Sequence, residues 1–150
     1  MRVLIQRVAN AWVGFKDDST PHSGPGLLCL VGFAPNDSQR LLEPMATKLL
    51  YSRILEDAEG KMNLSLMDTG GGLVLVPQFT LYADCRKGRR PSFNSAMAPE
   101  QAEVLFEQFI VACRRHKQNI LTGRFGTDMQ VHLINDGPVT ILLDSEELSL

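Results

Sequence analysis

The sequence predicts an α+β fold in which strands outnumber helices, with an antiparallel or mixed sheet and two main helices. Three observations carry that expectation. Branched aliphatics occur in short alternating or continuous runs, the lengths of strands. Two segments instead repeat apolar residues at three- and four-residue steps, the helical signature. No internal repeat or low-complexity linker divides the chain, so residues 1–150 are read as one domain.

Taken in order, Val3, Ile5 and Arg7 alternate with Leu4, Gln6 and Val8, which predicts a strand from about Arg2 to Val8. Ala11 to Lys16 is its expected hairpin partner. TPHSGPG (Thr20 to Gly26) is a turn region, and LLCLVGF (Leu27 to Phe33) is a continuous apolar run short enough for a buried strand. Asn36, Asp37 and Ser38 offer N-caps for a helix with Leu41, Leu42, Met45, Leu49 and Leu50 on one face. Pro44 should kink that helix or delay its start.

RILED, DAEGK and MNLSL read as short extended pieces around a turn at Gly60, and DTGGG (Asp68 to Gly72) is a loop. LVLVPQFTL then begins as a core strand; read to its end, it puts Gln78 and Thr80 on one face and Phe79 on the other, unless Pro77 bulges it. The clearest helix follows Pro99, with Ala102, Leu105, Phe106, Phe109, Ile110 and Cys113 inward. TDMQVHLIN and VTILLD are read as two closing strands separated by Asp136-Gly137-Pro138.

Composition excludes several classes. The chain is 44% hydrophobic and 21% charged, ordinary for a soluble globular protein. No apolar run approaches the ~20 residues that span a bilayer, and the charged start does not resemble a signal peptide, so a cytoplasmic protein is expected. A net charge of −2 argues against extensive grip on a duplex, though not against a local basic contact. Cys29, Cys85 and Cys113, like His22, His116 and His132, are scattered. Their spacing predicts neither a metal site nor a disulfide framework, and no cofactor is expected.

Three stretches carry possible chemistry. Thr80 is a poor nucleophile without a base, and strand threonines commonly hydrogen-bond or face water. A bulged edge strand around it would leave backbone N–H groups for a ligand carbonyl or oxyanion. NDGPVT (Asn135 to Thr140) is a turn on the plain reading; a cis Gly137–Pro138 bond there would aim carbonyls one way as a rigid acceptor clamp. Arg86, Lys87, Arg89 and Arg90 surround Gly88, either as a solvated loop or as phosphate contacts. Arg114, Arg115, His116 and Lys117 suit a helix C-terminus or an RNA contact.

PQFTL, RKGRRPSF and TGRFGTDMQVHLINDGPVT, with VLIQRV and EGKMNLS, together resemble the D-aminoacyl-tRNA deacylases over nearly the whole chain. The resemblance implies a homodimeric hydrolase, barrel-like as a dimer, with its active site at the subunit interface. Gln78, Phe79 and Thr80 would form one wall, and Gly137–Pro138, cis in this family, would enter from the partner. Arg7 matches a residue that holds that loop. The implied substrate is D-aminoacyl-tRNA, with L-esters rejected; because glycine has no side chain to exclude, glycyl-tRNA is expected as a further substrate.

The family's serine before Gln78 is here Pro77. Deacylases acting on L-alanyl-tRNA carry PQATL and NGPYTH; Phe79 and the order Asp136-Gly137-Pro138-Val139-Thr140 place this chain with the D-specific type instead. The alternatives are that L-alanine-type activity and a non-catalytic tRNA-binding dimer.

Overall fold

The computed structural model describes residues 1–15 and 18–150. Its frame is a mixed sheet, as the sequence predicts. Strand β1 (Arg2–Phe15) pairs antiparallel with β2 (Asp18–Ser19) and β3 (Gly26–Gly32). A 3₁₀ turn over Gln39–Leu41 leads into helix α1 (Leu42–Tyr51). The hairpin of β4 (Leu55–Glu56) and β5 (Met62–Leu64) follows, then the single-turn helix α2 (Leu66–Thr69). Strand β6 (Gly72–Pro77) pairs parallel with β3, and after helix α3 (Pro99–His116) the strand β7 (Leu121–Thr122) pairs parallel with β6. The last strand, β8 (Gln130–Asp144), returns to the free side of β1.

Long strands replace two predicted hairpins. Arg2–Val8 and Ala11–Phe15 are one strand, and Lys16 lies outside the described residues. The Ala9-Asn10 step is a bulge rather than a turn: Val8 faces Asn135 while Asn10 faces Ile134, so Ala9 is the extra residue. TDMQVHLIN and VTILLD are likewise one strand. Gln6 faces Thr140 and Val8 faces Asn135, so the four residues Asp136 to Val139 lie opposite Arg7 alone. Proline and glycine mark this large bulge, which sequence pattern cannot distinguish from a turn.

The predicted helices form with adjusted starts. Pro44 is the third residue of α1, where its missing N–H needs no partner, so it delays the helix without kinking it. The expected caps do not act: Ser38 makes no capping bond, and the Asp37 carboxylate instead accepts the Ala34 N–H at 2.7 Å. Ser65 and Asp68 form a capping box, which turns the end of MNLSL helical. Every inward residue predicted for α3 is buried, and Ala112 joins them.

Both helices cover one face of the sheet. Val3, Ile5, Leu27, Cys29, Val31, Leu73 and Leu75 pack there against Met45, Leu49, Phe106 and Phe109. The other face holds a smaller cluster of Val8, Ala11, Val13, Leu28, Val74 and Val76. Across it runs the row Val76, Leu30, Leu4 and Leu142, in register on four neighbouring strands. Burial increases along that row from an exposed Leu142 to a buried Val76. Among the described residues no helix is long and apolar enough to cross a membrane.

Candidate active site

The polar end of the β6 segment is not a strand. β6 stops at Pro77, Gln78 leaves the extended region at φ −148° and ψ 85°, and Phe79–Tyr82 form a 3₁₀ turn. The alternation expected to put Gln78 and Thr80 on one face therefore ends before it reaches them. They still meet, because the Gln78 side-chain amide donates to the Thr80 hydroxyl oxygen.

Pro77 fits this break. The Gln78 N–H goes to the Val31 carbonyl on β3, 2.7 Å away, so the main-chain nitrogen one residue earlier faces the opposite side. There β7 has already ended and Gly123 lies against the proline ring. Proline thus removes a donor just past the last paired residues of the β6–β7 ladder.

The turn presents main-chain donors. Its first internal bond is the Leu81 N–H on the Gln78 carbonyl at 3.4 Å. The N–H groups of Phe79 and Thr80 precede it and have no acceptor within the turn. Both residues are exposed, Phe79 to 54%. Phe93 packs edge-to-face on it with ring centroids 5.1 Å apart. No local pattern in the sequence predicts that pairing, although RRPSF stands out as a motif. The bridge between Asp84 and Ser92 produces it, by folding the basic loop back on its own base.

In that loop Arg86 is distinguished from its neighbours. It donates to both Asp84 oxygens, from Nε at 2.8 Å and from Nη2 at 2.7 Å. These bonds hold the Asp84 carboxyl far below the usual carboxylate range. Lys87, Arg89 and Arg90 are exposed beside it.

The second group of predicted residues gathers around Arg7, whose side chain is buried beneath the β8 bulge. Its Nε donates to the Asp136 carbonyl at 3.1 Å, Nη1 to the Ile54 carbonyl at 3.3 Å, and Nη2 to the Glu56 carboxylate at 2.9 Å. Arg7 thereby ties the bulge to the β4–β5 hairpin. Gly137–Pro138, a cis peptide, lies exposed at the crest.

Within one chain the two groups do not meet. Pro77 shares a row with Val31, Val3 and Leu143, whereas the bulge stands opposite Arg7, four residues further along β1. Three strand spacings and four residues put roughly 20 Å between Gly137 and the Phe79–Tyr82 turn. The buried cysteines stand apart from both groups: burial pushes the Cys29 thiol up and the Cys113 thiol up to about 12, which leaves them unreactive.

The model of the D-Tyr-tRNA(Tyr) deacylase family matches residues 4–144. The chain belongs to that family. A D-aminoacyl-tRNA deacylase of Teredinibacter turnerae is 54% identical over 145 residues, covering 97% of this chain and all of that protein. Among solved structures, the c-Myc DNA unwinding element binding protein superposes with a TM-score of 0.90 at 40% identity, over 97% of this chain and 99% of that one. A probable eukaryotic D-amino acid tRNA deacylase shares the fold at a TM-score of 0.83 and 18% identity, over 95% and 97% of the two chains. In this deacylase family member, the matched span takes in both the 3₁₀ turn and the bulge.

Proposed function

We propose that the chain hydrolyses the ester joining a D-amino acid to the terminal adenosine of tRNA, and that glycyl-tRNA is a second substrate. The family match over residues 4–144 carries this reading. The reaction works in the cytoplasm as proofreading and needs no cofactor.

The site is completed by a second copy. The separation of roughly 20 Å between turn and bulge leaves each half-site without its complement in one chain. The apolar row ending in Leu142, 47% exposed, gives a second sheet a surface to cover, which supports a barrel-like homodimer. Gly137 and Pro138 of one protomer then face Gln78, Phe79 and Thr80 of the other.

Water attacks the ester carbonyl, assisted by the adenosine 2′-hydroxyl. The N–H groups of Phe79 and Thr80 receive the oxyanion, a contribution of ~2.7–4 kcal/mol per donor. Support for water over a threonine nucleophile lies in the Thr80 hydroxyl, which accepts from the Gln78 amide and, among the described residues, has no basic hydrogen-bond partner. Phe79 packs on the adenosine, while Arg86, Lys87, Arg89 and Arg90 contact acceptor-end phosphates.

Chiral selection is made by main chain. A pocket reading side chains by size gains only ~1–3 kcal/mol per methylene, too little for an enzyme serving many amino acids. Backbone of the Gly137–Pro138 bulge near Cα blocks an L side chain whatever its identity, and admits glycine because glycine has none. Release of amino acid from D-tyrosyl-, L-tyrosyl- and glycyl-tRNA tests this directly. Cleavage of the D and glycyl esters with the L ester spared is expected. Glycyl-tRNA left intact at high enzyme concentration would refute steric exclusion, and no cleavage by a folded dimer would refute the activity.

A further inference from the structure

On the face of β1 opposite Ala11 and Val13, three aromatic rings stack in parallel. Trp12 lies between His22, at 4.2 Å and 4° between planes, and His132, at 4.6 Å and 2°. His22 is the exposed end of this ladder, and its orientation is determined by hydrogen bonding. The Gly24 N–H donates to Asn10 Oδ1 at 3.1 Å, so Asn10 Nδ2 must face His22 Nδ1, 2.8 Å away. Nδ1 therefore accepts, which leaves the ring N–H at Nε2.

His22 borders a cleft of about 450 Å³ shared with Gly70, Gly71, Lys117, Gln118 and Asn119. Among the described residues, its lining carries one ammonium and no carboxylate. Lys117 is anchored at the cleft by a bond to the Gly70 carbonyl at 3.3 Å, which positions its charge without neutralising it. An aromatic face, amide edges and one cation match an unpaired nucleotide, whose recognition rests on base stacking and phosphate contact.

Its place on the sheet agrees with that chemistry. Asn10 pairs with Ile134, three residues before Gly137. Gly72 in the cleft lining shares a row with Gly26 and Val8, one residue from Arg7. Three strand spacings therefore put the cleft roughly 15 Å from the bulge, the span of about four stacked nucleotides.

We propose that this cleft is a second RNA subsite, taking one unpaired nucleotide near the tRNA 3′ end with its base on His22 and its phosphate on Lys117. The assignment to tRNA rests on the function proposed above; nucleotide binding does not.

Trp12 is the only tryptophan, and it reports on the stack. Adenosine 5′-monophosphate and a short single-stranded oligoribonucleotide, titrated into the intact protein, should change its fluorescence saturably. Inorganic phosphate alone should not. His22→Ala should weaken binding roughly tenfold and His22→Phe should restore it, as stacking requires. Lys117→Ala should reduce the salt dependence. No saturable response to either nucleotide probe overturns the subsite, and so does an equal response to phosphate. In turnover, His22→Ala with Lys117→Ala should raise KM for D-aminoacyl-tRNA severalfold at unchanged kcat, while a D-aminoacyl-adenosine ester is cleaved as before. An unchanged KM in an active enzyme overturns the tRNA assignment and leaves the proposed activity standing. A wild-type protein that cleaves neither ester defeats that activity, while the fluorescence titration still decides nucleotide binding.

Discussion

Gly137 and Arg7 approach each other at a distance that leaves no room for a side chain between them. A β-carbon on Gly137 would stand 2.7 Å from Arg7 Nη2, and the residue holds φ at +121°. Two independent constraints therefore require glycine: the left-handed backbone region and the guanidinium beneath it.

Gly137→Ala should accordingly cost about 1–3 kcal/mol through backbone strain and displacement of Arg7. The displaced bulge should cut D-ester hydrolysis by roughly tenfold or more, which a misplacement worth ~1.4 kcal/mol suffices to produce. Thermal melting and turnover of the same preparation measure the two effects. An alanine variant as stable and active as its parent would show that the bulge does not need this close approach.

Arg7→Lys keeps the charge and removes the fork. A single ammonium cannot span the Asp136 carbonyl, the Ile54 carbonyl and the Glu56 carboxylate together. Stability should fall by about 1–3 kcal/mol, the scale of charge-assisted hydrogen bonds. Selectivity for D over L esters should narrow as the bulge loosens, and the ratio of the two kcat/KM values reads that change.

Thr80→Ala should retain measurable turnover under the proposed mechanism, which assigns the oxyanion to main-chain donors. A loss within about tenfold fits removal of one side-chain hydrogen bond. Complete inactivity in a folded variant that still binds tRNA would instead make Thr80 the nucleophile.

Removing charge at Lys87, Arg89 and Arg90 should weaken tRNA binding and flatten its salt dependence. The slope should fall by about 0.7–0.9 for each phosphate left without its cation. Arg86 is already paired with Asp84, so Arg86→Gln should change the slope least of the four. Binding isotherms across a salt series, one variant at a time, give that ranking.

Acid should destabilise the fold through Asp144 and Glu43. Burial raises the Asp144 carboxyl, but the Arg2 side chain at 2.7 Å and the Glu146 N–H outweigh it and bring it below its ordinary value. The hydrogen bond to His116 foremost lowers Glu43, and with Arg115 it outweighs the desolvation that raises it. A carboxyl depressed in the fold contributes fully above its unfolded value, ~3.9 for Asp and ~4.3 for Glu, and loses that contribution as pH falls through the folded one. Urea unfolding from pH 7 down to pH 2 should show this decline. Asp144→Asn should be less stable near pH 7 and lose less on acidification; an unchanged acid limb would exclude Asp144 as a source.

What the sequence by itself determined was the class of fold, the faces of both long helices and the apolar strands, and it singled out the motifs that form the turn after Pro77 and the β8 bulge. These follow from local periodicity: α3 buries Leu105, Phe106 and Phe109 as its three- and four-residue steps require. The resemblance carried by PQFTL and NDGPVT also reached the right family. Tertiary structure decided where chain direction changes. At Ala9 and at Asp136 to Val139, pairing with a neighbouring strand converted apparent turns into bulges, and only the register between β1 and β8 records this. After Pro77 the chain left its strand because β7 had ended beside it, a boundary set by residues more than forty positions away. The partners of Arg7 come from the β4 hairpin and the β8 bulge, and the Trp12 stack from β1, β8 and a loop. Such contacts join segments distant in the chain, and no periodicity in any one of them encodes the meeting.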